Sequence, residues 1–340
     1  MTRLLLIGFG GVHRHFCQIL LEKAGNLDAR YGFVPVVVGV ADSGGAVHQP
    51  EGLDLQALLA HKQTGHSVAT FSGGHPLADA PTLAQTAGYD LLLEASPVNL
   101  SDGEPALTCV RAALTQGRAV VLANKAPLVL DYAGLHGLAR RYSARLAFSA
   151  TVCGGLPVIN VGQRDLVGAT IIRVEGIFNS TTNYILCQMT AGESYAGALA
   201  EAQRRGIAEA DPSLDVEGWD TANKLVIIAN AILGVATTLA DVKVQGIEGL
   251  QGKTNLLDPR WGETVKLVAR AERQTDGGYA LSVGPEALCN DHFLAGVSDW
   301  QMGIAFHTDI YEEIYMKIDE KGPLATAAAM LRDVLNAQTY

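Results

Sequence analysis

Cysteine is scarce and scattered in this sequence. Cys17, Cys109, Cys153, Cys187 and Cys289 are odd in number and form neither a CxxC pair nor a His/Cys ligand spacing. That pattern excludes a disulfide framework and a zinc finger, and reads as reduced thiols of a cytoplasmic protein. Positive charge is also in short supply: 25 Lys and Arg stand against 35 Asp and Glu, for a formal net charge of −10. No basic field is left to attract nucleic acid. No uncharged apolar run reaches the roughly 18 residues of a membrane helix, and the longest, 225–240, reads as a core helix. The opening MTRLLLIGFGG carries one basic residue and ends in glycines rather than a small-residue cleavage site, so it reads as a buried strand. With 48% hydrophobic and only 18% charged residues the chain is globular, and 37 glycines against 12 prolines point to many tight turns.

At 340 residues the chain exceeds one ordinary core, and the rhythm of its apolar runs changes near Thr151. Before that point, strand-length runs at 3–7, 34–40, 90–95, 119–123 and 145–150 alternate with helical patterns at 12–24, 53–62, 104–116 and 132–142. Such alternation predicts a Rossmann-type, doubly wound parallel sheet. After it, a strand at 169–178, helices at 182–189, 196–205 and 219–233, and alternating runs within 264–298 predict a second, α+β domain. A closing helix is expected at 321–335, after a Gly-Pro turn. The expected organisation is a nucleotide-binding domain at 1–151, a catalytic and dimerisation domain at 152–305, and a C-terminal segment at 306–340 returning to the first domain.

Gly8-Phe9-Gly10-Gly11-Val12 follows the first strand and opens the first helix, where two glycines let backbone turn sharply and approach a pyrophosphate. His13 stands where a GxGxxG fingerprint carries its third glycine; a plain tight turn is the alternative reading. Asp42 ends the second strand, placed either to bind a ribose hydroxyl or to shape the Ser43-Gly44-Gly45 turn. No arginine follows it to receive a 2′-phosphate, which leans toward NAD over NADP. Ser96 and Lys125 lie just beyond the third and fourth strands, at the edge where open α/β sheets bind ligands.

Residues 207–220 hold five acids, Glu209, Asp211, Asp215, Glu217 and Asp220, directly before an apolar helix. Asp220 and Lys224 are four apart, stacked on one helical face in the order that favours an ion pair. A surface salt bridge is the plain reading of that pair. Upstream, the Asn179–Tyr184 stretch NSTTNY concentrates hydroxyl and amide groups at a strand-to-helix junction, where an N-cap is the simplest role.

Taken together, GFGGV, EASPVN, ANKAP, TVCGGLPVI, GIFNSTTNYIL and AEADPSLDVEGWDTANK resemble the homoserine dehydrogenase family, in its order and spacing and from residue 1 onward. The chain resembles the short form, with no regulatory ACT domain after the closing helix. The resemblance implies NAD- or NADP-dependent interconversion of L-homoserine and L-aspartate 4-semialdehyde in threonine and methionine biosynthesis, by a homodimer. It implies Lys224 as proton-transferring lysine with Asp220 beside it, Glu209 and Asp215 facing homoserine, and Lys125 at the junction of cofactor and substrate. On the cofactor side it implies Gly8, Gly10, Gly11, Val12, Ser96 and Gly322. Carbonyls of Val152, Gly154 and Leu156 match a family site for sodium or potassium, but Ser149 stands where the family often has glutamate, and Ser180 where NGTTN is frequent.

Two other functions stay open on the sequence alone: a dehydrogenase for another small amino or hydroxy acid, and a catalytically silent NAD(P)-binding sensor. A sensor has no need of a proton donor, which Lys125, Asp220 and Lys224 together suggest.

Overall fold

The computed structural model describes residues 1–76, 78–250 and 263–338. The chain divides into two compact units, Met1–Gly155 with Gly322–Tyr340, and Leu156–Lys321.

The first unit holds β1 (Thr2–Ile7), α1 (Gly11–Tyr31), β2 (Pro35–Asp42), β3 (Gly45–His48), α2 (Leu55–Gln63), β4 (Gly74–His75) and α3 (Ala80–Thr86). It continues with β5 (Leu91–Glu94), α4 (Ala106–Thr115), β6 (Ala119–Leu122), α5 (Ala126–Arg141) and β7 (Leu146–Ala147). Its seven strands run in the order β4-β3-β2-β1-β5-β6-β7. The five from β2 to β7 are parallel, and β3 and β4 add antiparallel edges. Strands covered on both faces need continuous rather than alternating apolar runs. Leu4, Leu5 and Leu6 of β1 and Leu92 and Leu93 of β5 are accordingly fully buried, each adding about 1.5–3 kcal/mol of burial. The strand order reverses beside β1, with β2 on one side and β5 on the other, so the switch point lies between the carboxyl ends of β1 and β5.

Local chemistry corrects several expected boundaries. The helix expected from Tyr132 follows a kink at Asp131 (φ −149°, ψ 48°), and an unexpected helical stretch precedes it from Ala126, where Pro127 suits a first turn and Asn124 Oδ1 accepts from the Ala126 amide at 2.9 Å. The strand expected over 145–150 shrinks to two residues, since Ser149–Thr151 form a 3₁₀ turn. Residues 152–155 belong to the first unit, and 306–321 to the second; only from Gly322 does the chain return. The physical reason for the second shift is strand pairing, given below. Residues 251–262 and 339–340 of the expected segments lie outside the described residues.

The second unit contains α6 (Val158–Asn160), β8 (Ile171–Ile177), α7 (Ser180–Thr190), α8 (Tyr195–Arg204), α9 (Ser213–Val216) and α10 (Trp219–Ile228). It goes on through β9 (Val242–Val244), β10 (Glu263–Arg273), β11 (Tyr279–Cys289), β12 (Gln301–Thr308) and β13 (Glu313–Asp319). These strands form one sheet in the order β13-β12-β8-β10-β11-β9, antiparallel except for β9 beside β11. The β12–β13 hairpin joins β8 through Ala305 opposite Glu175, which is why residues 306–321 stay in this unit. The chain then passes to α11 (Pro323–Gln338), which packs on α1 within the first unit.

Candidate functional site

Two constellations of expected residues form, one in each unit. In the first, the turn after β1 brings its glycine against the end of β5. Gly8 holds φ +81°, and a Cβ there would stand 2.5 Å from Ser96 Cα and N. Both the left-handed backbone and the contact demand glycine. Gly10 precedes α1 without a side-chain cap, and no acid occupies that helix's first turn. The 21-residue helix therefore offers its N-terminal amides and positive dipole end to an anion. A Cβ on Gly11 would lie 3.2 Å from Pro323, which follows Gly322 at φ +139°. Val12 follows Gly11 in the same first turn.

His13 explains how the turn survives without its third fingerprint glycine. The ring is fully buried, edge-on to Phe16, and Nδ1 donates to the Gly8 carbonyl. Burial lowers its pKa to about 4, against the opposing pull of that carbonyl. The imidazole is therefore neutral, with Nδ1 protonated and Nε2 a bare acceptor. The histidine thus braces the glycine loop from beneath instead of crowding it.

Glu94, at the end of β5, was not singled out by the sequence, although LLLE is an apolar strand ending in a carboxylate. It is fully buried; Oε1 accepts from Ser96 N at 2.9 Å and from Ser96 Oγ. Burial pushes its pKa up to about 7, partly countered by the Ser96 and Asn124 hydrogen bonds. Glu94 Oε2 and His13 Nε2 have no hydrogen-bond partner among the described residues. Asn124 Nδ2 reaches Ser96 Oγ and Pro97 O, each at 3.4 Å, tying together the loops after β5 and β6. Lys125 follows, half-buried, at the N-terminus of α5.

Asp42 departs from the ribose-binding expectation. Its Oδ1 accepts from Gly44 N at 2.9 Å and Ser67 Oγ at 2.7 Å. Oδ2 accepts from Lys62 Nζ at 2.7 Å and Val68 N at 3.0 Å. A carboxylate offers about four lone-pair sites, and these four donors fill them. Burial pushes its pKa up, but the bonds from Lys62, Val68, Ser67 and Gly44 outweigh that and hold it below the usual carboxylate value. The residue is the organising acid of the β2–β3 turn, with no capacity left for a ribose.

The expected monovalent-cation site is also corrected. Ser149 N and Oγ each donate to the Asp333 carboxylate at 2.7 Å, and Arg332 Nη2 donates to Ser149 Oγ at 2.9 Å. Arg332 Nη1 reaches the Gly155 carbonyl at 3.4 Å. A guanidinium thus fixes positive charge beside Ser149 and Gly155, in the segment where a free cation needs open carbonyls and a carboxylate. In the second unit the Leu156 carbonyl already accepts from Val158 N at 2.8 Å. The residues present do not fit sodium or potassium, and no group of three or more His, Cys, Asp and Glu among the described residues suits a metal ion.

The second constellation lies in the second unit. Lys224 Nζ donates to Asp220 Oδ2 at 2.7 Å and to the Phe178 carbonyl. The two side chains are 12% and 13% exposed, so the pair is not the solvated salt bridge of the plain reading. Asn179 completes the network in two ways. Its Oδ1 caps α7 by accepting from Thr182 N at 2.8 Å, while Nδ2 donates to Asp215 Oδ1 at 2.7 Å and Asp220 Oδ2 at 2.9 Å. Burial first, and then the Asp220 charge, raise the Asp215 pKa above the usual value, with Asn179 opposing both. The cap reading of Asn179 is therefore half of its role, and the bridge between two acids is the half that spacing could not show. Glu209 stands apart from this network: it is exposed, and its carbonyl accepts from Gln203 Nε2 at 3.2 Å.

Comparison with known proteins gives the family. The homoserine dehydrogenase family model matches residues 157–335. The NAD(+)-dependent homoserine dehydrogenase of Pseudomonas canavaninivorans is 36% identical over 98% of this chain and 95% of its own length. The homoserine dehydrogenase of Methanocaldococcus jannaschii is 34% identical over 98% and 97%. Among solved structures, a hyperthermophilic archaeal homoserine dehydrogenase in complex with NADPH superposes with a TM-score of 0.85 at 26% identity, covering 99% of this chain and 97% of that one. With the glycine turn, the reversed strand order and the buried Lys224–Asp220 pair all in place, the chain belongs to the homoserine dehydrogenase family.

Proposed function

We infer that the chain catalyses NAD- or NADP-dependent interconversion of L-homoserine and L-aspartate 4-semialdehyde, an oxidoreduction in amino-acid biosynthesis. This replaces both alternatives, the dehydrogenase for another acid and the silent sensor. Within that activity, we propose that Lys224 carries the proton. The supporting observation is its burial in a cage of two acceptors, the Asp220 carboxylate and the Phe178 carbonyl. Reduction of the aldehyde places negative charge on its oxygen, and Lys224 donates the proton that neutralises it. Asp220 holds the ammonium in one rotamer, and Asn179 holds Asp220. Asp215, tied to the same amide, orders the loop before α10, and Glu209 binds the ammonium of the substrate.

In the first unit, Gly8, Gly10, Gly11, Val12 and Ser96 shape the cradle for the dinucleotide, with Gly322 beside it and Lys125 supplying positive charge. The glycine that a Cβ would drive into Ser96, and the uncapped amides of α1, fit such a group. When bound, the nicotinamide supplies or accepts the hydride. The lack of an arginine after Asp42 favours NAD, a preference that initial rates of homoserine oxidation with each cofactor will test.

Lys224→Ala is expected to lower kcat by roughly 10²- to 10⁴-fold. A kcat within a few-fold of wild type overturns the assignment. The protein is further proposed to be a cytoplasmic homodimer joined through the second unit. Support comes from the β12–β13 hairpin, which carries the exposed apolar side chains Ile310, Tyr311 and Tyr315. Light scattering that returns a monomer refutes the dimer.

A further inference from the structure

Lys266 of β10 is 2% exposed. Its Nζ donates to the Val297 carbonyl at 2.7 Å, to Asn183 Oδ1 at 3.1 Å and to Cys187 Sγ at 3.2 Å. None of these three partners is a carboxylate. Cys187 Sγ also lies 3.9 Å from Asn183 Oδ1, so sulfur, amide and amine form one cluster. A second donor meets the same sulfur: the Asp299 amide, at 3.3 Å, on a residue held at φ +53°. Asn183 and Cys187 lie one turn apart on α7, so helix geometry presents both to the lysine.

Burial separates this thiol from the others in the core. Cys17 is fully buried, and its surroundings push its pKa up to about 12. Cys187 is only partly buried, which leaves its sulfur within reach of a small oxidant. A nucleophilic sulfur, a nitrogen in contact with it and a path for a small molecule are the three requirements for a covalent link between side chains.

We propose that Cys187 and Lys266 form an oxidative modification site, in which a hydroperoxide joins them through a direct sulfur–nitrogen bond. In the first step Cys187 Sγ attacks one peroxide oxygen; the S–O bond forms, the O–O bond breaks, and water leaves after taking the thiol proton. Sulfur is oxidised by two electrons and the peroxide is reduced. In the second step Lys266 Nζ, after losing one proton to solvent so that its lone pair is free, attacks the same sulfur; the S–N bond forms, the S–O bond breaks, and the departing hydroxide takes a second proton from the nitrogen and leaves as water. One thiol, one amine and one hydrogen peroxide thus become one sulfenamide and two waters. The link ties α7 to β10.

The test is peptide mapping of the intact protein after graded hydrogen peroxide treatment, with exposed Cys289 as an internal control. The expected product joins the Cys187 and Lys266 peptides at about 2 Da below the sum of the free pair, and a thiol reductant releases it. Cys187→Ser, a near-isosteric change, abolishes the product while Cys289 still oxidises. Sulfinic or sulfonic Cys187 with an unlinked Lys266 overturns the proposal. So does an unreacted Cys187 at a dose that oxidises Cys289. A linked product about 14 Da above the free pair retains an oxygen between the two atoms and overturns the direct bond.

Discussion

Replacing Glu94 by glutamine tests whether a buried, one-sided carboxyl controls the pH dependence of the first unit. Glu94 is fully buried at the end of β5, with Oε1 bonded to Ser96 and Oε2 bonded to nothing among the described residues. Burial raises its pKa from 4.5 to about 7. Below pH 4.5 the folded and unfolded chains both hold the proton, and its contribution to stability is fully present. Between 4.5 and about 7 the unfolded chain ionises while the folded one does not, so stability falls as pH rises. Above that range about 3 kcal/mol has been lost, at 1.36 kcal/mol per unit of difference. Glutamine keeps the Oε1 acceptor and cannot ionise. Urea unfolding followed by far-UV circular dichroism, run on both proteins from acid to alkaline pH, isolates this group because all other titrations cancel in the difference. Glu94→Gln is expected to gain stability over wild type as pH rises, up to about 3 kcal/mol on the alkaline side. If the two curves run parallel within about 0.5 kcal/mol, the charge-burial argument is refuted.

Three other substitutions address the remaining assignments. Asn179→Asp keeps the acceptor that caps α7 but puts an oxygen where Nδ2 bridged Asp215 and Asp220; kcat should fall at least about tenfold, and its acid limb should move to higher pH. An unchanged pH profile would show that the bridge is idle. Asp42→Asn sets an amide against Lys62 and Val68, costing about 2–3 kcal/mol of stability. Its NADH affinity, measured by fluorescence titration, should nevertheless stay within a few-fold of wild type, and a large loss would restore the ribose role. Because Arg332 and Asp333 hold Ser149, homoserine oxidation should run equally fast with sodium, potassium or a bulky organic cation as the only monovalent ion. A requirement for either metal would contradict the guanidinium's occupation of that segment.

The parallel sheet was legible because strands covered on both faces need unbroken apolar runs, and LLLI, LLLE and AVVL are such runs. The β12–β13 hairpin was not. β13 alternates exposed and half-buried positions, so its pattern carries little of the burial that marks a strand. Its place is fixed by pairing with β12, a contact whose registration no local spacing contains. Lys224 and Asp220 were legible as an i, i+4 pair, yet the same spacing fits a solvated salt bridge. Exposure of 12% and 13%, set by elements far along the chain, separates the two.

The carboxylates show most clearly what a sequence leaves undecided. Asp42, Glu94 and Asp215 all follow or precede turns near expected site residues, and nothing in their neighbours' identities ranks them. The number of donors each receives does. Four donors hold Asp42 ionised and consume its capacity to bind anything else. Glu94 accepts from Ser96 N and Oγ on one oxygen, and burial outweighs these bonds and the pull of Asn124, so the acid leans toward its neutral form. Asp215 lies between them: it shares the Asn179 amide with Asp220, and burial with that neighbour's charge outweighs the shared donor. An acid poised in this way responds to any change at Asn179 or Asp220. The Lys224–Asp220–Asp215 network is thereby tuned through one amide, whose oxygen is committed to the start of α7 and whose nitrogen is divided between two carboxylates.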